Sequence, residues 1–123
     1  MQPTSYKQDG RFDLEHRTLI FSKELLSLTK QMAYSIQNEV IVRQLIRSGT
    51  SIGANYREAN DALGKKDFLF RLRIARKEAK ETTYWLQLLE VPQTFFLLQE
   101  RSRLLQESVE LTKILSSIIN KSL

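Results

Sequence analysis

Apolar residues recur three and four positions apart along most of this chain, which is the spacing of one face of an α-helix rather than the alternation of a strand. The first long segment with this spacing predicts a helix over about 13–31, with Asp13 as a suitable N-cap. Its inward positions step by four and three residues, as in a heptad seam. They are Leu14, Thr18, Phe21, Leu25, Leu28 and Met32.

Three further segments predict helices over about 38–61, 65–90 and 94–121. Asn38 is the expected N-cap of the second helix, and the third ends before Pro92 because proline cannot continue the hydrogen-bond ladder. Four long helices with short links predict an all-α fold, an antiparallel up-down-up-down four-helix bundle. The seams of the last three helices are Ile41, Leu45, Gly49, Ile52, Tyr56 and Ala59; Phe68, Leu72, Ala75, Ala79, Thr82, Leu86 and Leu89; and Leu97, Leu104, Leu111, Leu115 and Ile118.

At 123 residues the chain is long enough for one domain with its own core. We expect the bundle to span residues 12–123 and the polar residues 1–11 to form a disordered tail. There is no cysteine, so disulfides and thiolate metal sites are excluded. No apolar run approaches the ~18 residues of a membrane span, and the polar N-terminus lacks the apolar core of a signal peptide. The sequence therefore predicts a cytoplasmic protein.

Two glycines lie in the middle of the second helix, where each costs up to ~1 kcal/mol relative to alanine. Gly49 and Gly53 belong to the seam of that helix, which predicts close packing by a neighbouring element. The third helix offers candidates for that neighbour in Phe68 and Leu72.

A stripe of polar residues runs beside the seam of the second helix and faces a flank of the third. It is either a ligand or metal pocket or a hydrogen-bonded network that fixes helix register, and we favour the network. Di-metal carboxylate bundles need Glu-x-x-His pairs, and the single histidine, His16, is not in such a motif. The serines have acids but no base nearby, so we predict no catalytic residue, no metal and no cofactor. The stripe consists of Ser48, Ser51, Asn55, Glu58 and Glu81.

The third helix also carries apolar residues on a flank away from its seam. A helix in an isolated bundle has one core face, so a second apolar flank favours contact with another subunit. The alternative is a wide core face with Trp85 lying over the edge of the bundle. The flank consists of Phe70, Ile74, Trp85 and Leu88.

The remaining face of the third helix is basic. Between Lys65 and Lys80 there are seven basic residues and two acidic ones, an excess equal to the net charge of +5 of the whole chain. Clustered cations with a nearby aromatic residue, Tyr84, favour binding to phosphates and stacked bases; the alternative is a solvated helix face. The candidate nucleic-acid-binding residues are Lys66, Arg73, Arg76, Lys77 and Lys80 on the third helix, with Arg43, Arg47 and Arg57 on the outward face of the second.

Three short segments carry a family resemblance. They are Ser51-Ile52-Gly53-Ala54-Asn55-x-x-Glu58, Lys66-Asp67-Phe68, and Ile74-Ala75 followed by Glu81. Together they resemble the four-helix bundle family encoded in intervening sequences of bacterial 23S ribosomal RNA genes, over about residues 12–121. The family pattern is close to S-I-x-A-N-x-x-E-G, then K-x-F, then I-A-x-x-x-A-x-E. One departure is Ala59, which stands where the family usually has glycine, so we expect the second helix to run longer here.

The resemblance implies a four-helix bundle that assembles as a ring-like homo-oligomer, in known cases a pentamer. Accessory proteins of diversity-generating retroelements look like relatives in fold, and they bind RNA and a reverse transcriptase. From residues and resemblance together we predict a non-enzymatic homo-oligomer that binds RNA or another nucleic acid through its basic surface. The alternative is a protein-binding adaptor that uses the apolar flank of the third helix.

Overall fold

The computed structural model describes the backbone of residues 10–123 and the side chains of residues 14–123. Four helices run through this range: α1 (Gly10–Thr29), α2 (Ile36–Asn60), α3 (Lys65–Leu88) and α4 (Phe95–Lys121). Consecutive helices pack side by side, and α4 returns to contact α1. The predicted all-α four-helix bundle is confirmed.

The beginnings of the helices differ in detail from the predictions. α1 begins at Gly10, so Asp13 lies inside the helix and is not its N-cap. The N-cap of α2 is Ser35, whose hydroxyl accepts a hydrogen bond from the backbone N–H of Asn38 at 3.0 Å; the prediction that Asn38 is the cap was wrong. The tail predicted over residues 1–11 falls mainly on residues 1–9, which lie outside the described range.

The predicted seams form the core. Almost all of their members are buried, and Met32, Ile41, Phe68 and Ile118 pack against the core at its edges. α2 continues through the buried Ala59 to Asn60. None of the four helices has the length and apolar character needed to cross a bilayer, as judged over the described part of the chain.

The two mid-helix glycines of α2 pack against α1. A Cβ atom at Gly49 would meet the side chain of Leu25, and one at Gly53 would lie 2.8 Å from Oγ1 and 3.0 Å from Cβ of Thr18. The candidates named from the sequence, Phe68 and Leu72 of α3, are therefore not the residues that pack here. The glycines allow α1 to approach α2 closely, since both Leu25 and Thr18 are fully buried there.

Two pairs of hydroxyl groups join α3 to the helices on either side of it. Thr82 donates to the buried Ser48 of α2 at 2.9 Å. The next residue, Thr83, shares a hydrogen bond of 2.6 Å with the buried Ser108 of α4. Because buried hydroxyls are costly to leave unpaired, these pairs fix both the rotation and the register of α3.

A single buried amide links two loops at one end of the bundle. The side-chain nitrogen of Asn38 donates to the carbonyl of Ala33 at 3.3 Å and to that of Glu90 at 2.8 Å, and its oxygen accepts from the backbone N–H of Glu90 at 3.1 Å. Asn38 is only 2% exposed. It therefore holds the α1–α2 loop against the α3–α4 loop, a role that a helix cap would not have.

Ion pairs join α1 to α4, the two neighbours that pack least extensively. Arg17 makes two hydrogen bonds to Glu107, at 2.6 and 2.8 Å. Arg103 of α4 pairs with Glu24 of α1 at 3.0 Å and also with Glu100. The hydrogen bonds from Arg103 hold the pKa of the Glu100 carboxyl below its usual value. The contribution of this carboxylate to stability is thus present above the pKa that it has in the unfolded chain, and is lost as the pH falls through its lowered pKa in the folded protein.

Gly53→Ala should lower the free energy of unfolding by about 1–2 kcal/mol, because crowding against the branched side chain of Thr18 outweighs the gain in helix propensity. Gly64→Ala is the comparison, since a Cβ atom at this N-cap of α3 meets nothing within 4 Å. Alanine is a poorer N-cap than glycine but lowers the entropy of the unfolded chain, so the two effects oppose each other and the change should stay within about 0.5 kcal/mol. Urea denaturation of both variants measures the difference. Equal stabilities would show that α1 does not press on α2 at Gly53.

Asn38→Ala should lower the free energy of unfolding by about 2–3 kcal/mol, because backbone groups of two loops lose their buried partner. Asn55→Ala is the comparison: that amide donates to the carbonyl of Ser51 in its own helix and accepts from Arg71 at 3.3 Å. Its loss should cost less than about 1 kcal/mol, because the half-buried Arg71 can turn to water. Thermal melts can compare the two variants, and a larger loss for Asn55→Ala would contradict this ranking.

Candidate nucleic-acid interface

The outer face of α3 carries the candidate cations. The opposite side of this helix supplies the core, so residues on the outer face project away from both neighbouring helices. Lys66, Arg73, Lys77 and Lys80 are exposed, and Arg76 is half-buried beside them. At a rise of 1.5 Å per residue, the row from Lys66 to Lys80 is about 21 Å long. We call these five residues the basic face.

The candidate cations fall into two sets that the sequence did not separate. On α2, Arg43 pairs with Glu39 at 3.4 Å, and Arg57 lies 3.5 Å from Glu15 of α1. Arg47 pairs with two carboxylates of α3. By contrast, no member of the basic face forms an ion pair within residues 14–123. The charge that remains available for an external anion is therefore concentrated on α3.

Arg47 is the centre of a polar network between α2 and α3. Its guanidinium donates to Glu78 at 3.0 Å and to Glu81. The same oxygen of Glu81 accepts from the indole N–H of Trp85 at 3.0 Å. The signal in the sequence was Glu81 in the polar stripe, but helical spacing alone does not tell which basic side chain reaches it.

The other residues of the predicted polar stripe do not converge on a pocket. Ser48 is buried against Thr82, Ser51 donates to the carbonyl of Arg47 at 2.6 Å, and Glu58 is exposed. The stripe thus has the geometry of a network within and between helices, with Glu81 as its link to Trp85. Among the residues that the structure describes, no group of three or more histidines, cysteines or acids is placed to hold a metal ion.

The apolar flank of α3 is exposed at its two ends and half-buried in its middle. Phe70 is 57% exposed and Leu88 is 46% exposed. Between them, Ile74 and Trp85 are half-buried, and Trp85 packs against the core. The structure therefore contains both features predicted from the sequence: Trp85 lies over the edge of the bundle, and Phe70 and Leu88 expose apolar surface.

Tyr84 lies in line with the basic face. It is 56% exposed and its ring meets that of Trp85 edge-on, with centroids 5.1 Å apart and planes at 70°. The sequence placed Tyr84 along the row of cations, but the contact with Trp85 could not be deduced from spacing. Helical spacing did not single out the exposed apolar side chains at the end of the bundle that holds the α1–α2 and α3–α4 loops. They are Tyr34, Ile36, Phe95 and Phe96.

Comparison with known proteins agrees with the resemblance noted in the sequence. The model of the 23S rRNA-intervening sequence protein family matches residues 12–117. A solved structure of a protein with unknown function from the S23 ribosomal protein family, from Bacteroides thetaiotaomicron, is similar with a TM-score of 0.74 and 38% sequence identity. The similarity covers 85% of this chain and 96% of that one. No curated protein matches this chain.

Proposed function

This chain belongs to the 23S rRNA-intervening sequence protein family, and we propose that it is a non-enzymatic homo-oligomer that binds RNA through the basic face of α3. The observation that carries the proposal is the set of five cations that have no carboxylate partner within residues 14–123. Lysines and arginines placed in this way attract the phosphates of a nucleic acid and release its counterions.

The spacing of the cations argues against the alternative that the basic face is only a solvated surface that stabilises the helix. Arg73 and Lys77 are four residues apart, as are Arg76 and Lys80. Like charges at this spacing repel and destabilise a helix by a few tenths of a kcal/mol per pair. Interspersed glutamates would remove the repulsion, and the rest of the surface uses such pairs, as between Arg43 and Glu39. On the basic face, a bound polyanion would neutralise the cations instead of such glutamates.

The homo-oligomer is proposed from the exposed ends of the apolar flank. Phe70 and Leu88 leave about half of their side-chain surface in water, which contact with a second copy would remove. The resemblance implies a ring of five such copies. A ring would repeat the basic face around the assembly, and one RNA that reaches several copies would gain avidity.

The proposal that the protein is not an enzyme is supported by the state of its polar groups. The hydroxyls of Ser48 and Ser51 are engaged with Thr82 and with the carbonyl of Arg47, and no general base lies among these partners. The carboxylates of Glu78 and Glu81 are held by Arg47. Hydrogen bonding and ion pairing of this kind stabilise a bundle without providing an activated nucleophile.

The second candidate function is a protein-binding adaptor, favoured by the same exposed Phe70 and Leu88. In that case the apolar flank would hold a different protein rather than another copy of the chain. Salt separates the two functions, because binding through phosphates weakens steeply as ions are added and apolar contact does not.

Arg73→Glu combined with Lys77→Glu should abolish RNA binding while the bundle stays folded, because both side chains are exposed and neither contacts the core. Fluorescence anisotropy of a labelled RNA hairpin, titrated at several salt concentrations, measures the effect. If each wild-type copy neutralises about three phosphates of an unpaired strand, it contributes roughly −2 to the slope of log K against log salt.

The matched control is Lys23→Glu combined with Lys30→Glu, which makes the same change in net charge at an exposed position of α1 and at the exposed residue that follows its end. It should reduce affinity much less than the change on α3. Equal losses of affinity in the two variants would show that net charge, and not the basic face, determines binding. Unchanged affinity in the α3 variant, or binding that does not depend on salt, would favour the adaptor.

Phe70→Gln combined with Leu88→Gln should dissociate the homo-oligomer at micromolar concentration without unfolding it, because both residues lie on the exposed ends of the flank. Light scattering gives the mass, and thermal melts report folding. Trp85→Ala is a poorer test, since Trp85 packs against the core and its loss also affects stability.

The control for this variant is Phe96→Gln with Leu63→Gln, which removes the same residue types from exposed positions off α3. It should keep the mass of the wild type. If the wild type is a monomer, the proposed homo-oligomer is wrong. If the Phe70 and Leu88 variant keeps the mass of the wild type, the apolar flank of α3 is not part of the interface.

A further inference from the structure

Tyr84 is an exposed aromatic side chain at the end of a row of cations. Lys80, Lys77 and Arg73 precede it by four, seven and eleven residues, which places them successively one, two and three turns away on the same side of α3. Lys80, the nearest of them, lies about 6 Å from Tyr84 along the helix axis. A ring in this position lies within reach of a strand whose phosphates contact the basic face.

The Tyr84 ring is supported from behind by the polar network. Its edge-on neighbour, Trp85, is held by the hydrogen bond from its indole N–H to Glu81, and Glu81 is held in turn by Arg47 of α2. An aromatic side chain fixed in this way loses little conformational freedom when a ligand stacks on it. The ring is prearranged while more than half of the side chain stays in water.

Phe70, the other exposed aromatic residue of α3, differs in its surroundings. The guanidinium of Arg71 lies over its ring, 6.0 Å from the centroid. A cation in this position already uses the electron-rich face of the ring that a base would stack on. Phe70 precedes Lys77 by seven residues just as Tyr84 follows it, so both rings lie on the side of the basic face, and the cation over the Phe70 ring is what distinguishes them.

We propose that Tyr84 is a stacking platform for an unpaired base, so that the basic face takes single-stranded or looped RNA in preference to a continuous duplex. This inference rests on the proposed RNA binding and names its substrate class. Bases in a duplex are already stacked on one another and their faces are closed to a side chain, while every unpaired base offers a face. The cations bind the phosphates, and Tyr84 distinguishes a strand with free bases from one without.

The neighbours of Tyr84 favour a nucleic acid over a second copy as the group that covers it. A second copy that contacts Phe70 and Leu88 from the side of Ile74 and Trp85 leaves Tyr84 uncovered. A contact that covered Tyr84 would also bury Lys77 and Lys80, which have no carboxylate partner within residues 14–123, and burial of a charge without a partner is costly. A nucleotide can pair with the cations and cover the aromatic ring at the same time, because its phosphate is anionic and the face of its base is flat and apolar.

The test compares three ligands with the same number of phosphates: an oligouridylate, an abasic strand and an RNA duplex. Tyr84→Leu should weaken oligouridylate binding by about 5- to 100-fold, the loss expected for one stacked base, whereas Tyr84→Phe should stay within about threefold of the wild type. Tyr84→Leu should leave binding of the abasic strand unchanged. Tyr34→Leu, an exposed tyrosine away from α3, should have no effect on any ligand.

Tryptophan fluorescence gives a second measurement that needs no variant. Trp85 is the single tryptophan of the chain and adjoins Tyr84. Oligouridylate should quench its emission and the abasic strand should not. Equal quenching by both strands, or none by the oligouridylate, would overturn the stacking role even if Tyr84→Leu failed to fold.

The outcomes separate this inference from the function on which it rests. If the charge reversal of Arg73 and Lys77 abolishes binding but Tyr84→Leu does not weaken it, stacking is refuted and RNA binding stands. If the wild type binds none of the three ligands, the proposed function itself fails. A lower mass for Tyr84→Leu in light scattering would show that a second copy covers this ring, which also overturns the inference.

Discussion

The orientation of α3 depends on two hydroxyl pairs at its centre. Thr82 and Thr83 are adjacent, so their side chains point about 100° apart around the helix, and each is held by a buried serine on a different neighbour. A rotation of α3 would take Thr82 away from the buried hydroxyl of Ser48 and Thr83 away from that of Ser108, and the loss of a hydrogen bond by a buried hydroxyl is costly. The side of the helix opposite these pairs must then face outward. It carries the basic face and Tyr84, so the polar centre of the core determines which residues are available on the surface.

Neighbouring helices use the same residue types for different purposes. Arg47 and Arg57 lie close to carboxylates of another helix, and they help to hold the bundle together. Arg73 and Lys77 extend from a helix that faces no neighbour on that side, so no carboxylate of the described chain meets them. The difference comes from position in the bundle rather than from chemistry. A count of basic residues overstates the surface that remains for a polyanion, and the contacts between helices correct that count.

Helical periodicity predicted the bundle because the apolar positions of each seam are removed from water only when they face the other helices. It did not predict partners across helices. The glycines of α2 were recognised as sites of close approach, yet spacing within one helix does not tell whether α1 or α3 fills them. Asn38 looked like a cap because it stands at the start of a helical segment, and only the positions of the two loops reveal that its amide joins them. For the candidate site, the row of cations followed from the sequence, whereas the support of Tyr84 by Trp85 required the fold.

The mutual repulsion along the outer side of α3 would make the free chain and a complex with a polyanion respond to ionic strength in opposite directions. In the free chain, added salt screens the neighbouring positive charges and favours the folded helix. In a complex with a polyanion, added salt competes for the phosphates and weakens association. A ligand that binds only the folded chain also raises its apparent stability by mass action. A polyanion would therefore stabilise the fold most at low ionic strength, the condition under which the repulsion along α3 of the free chain is greatest.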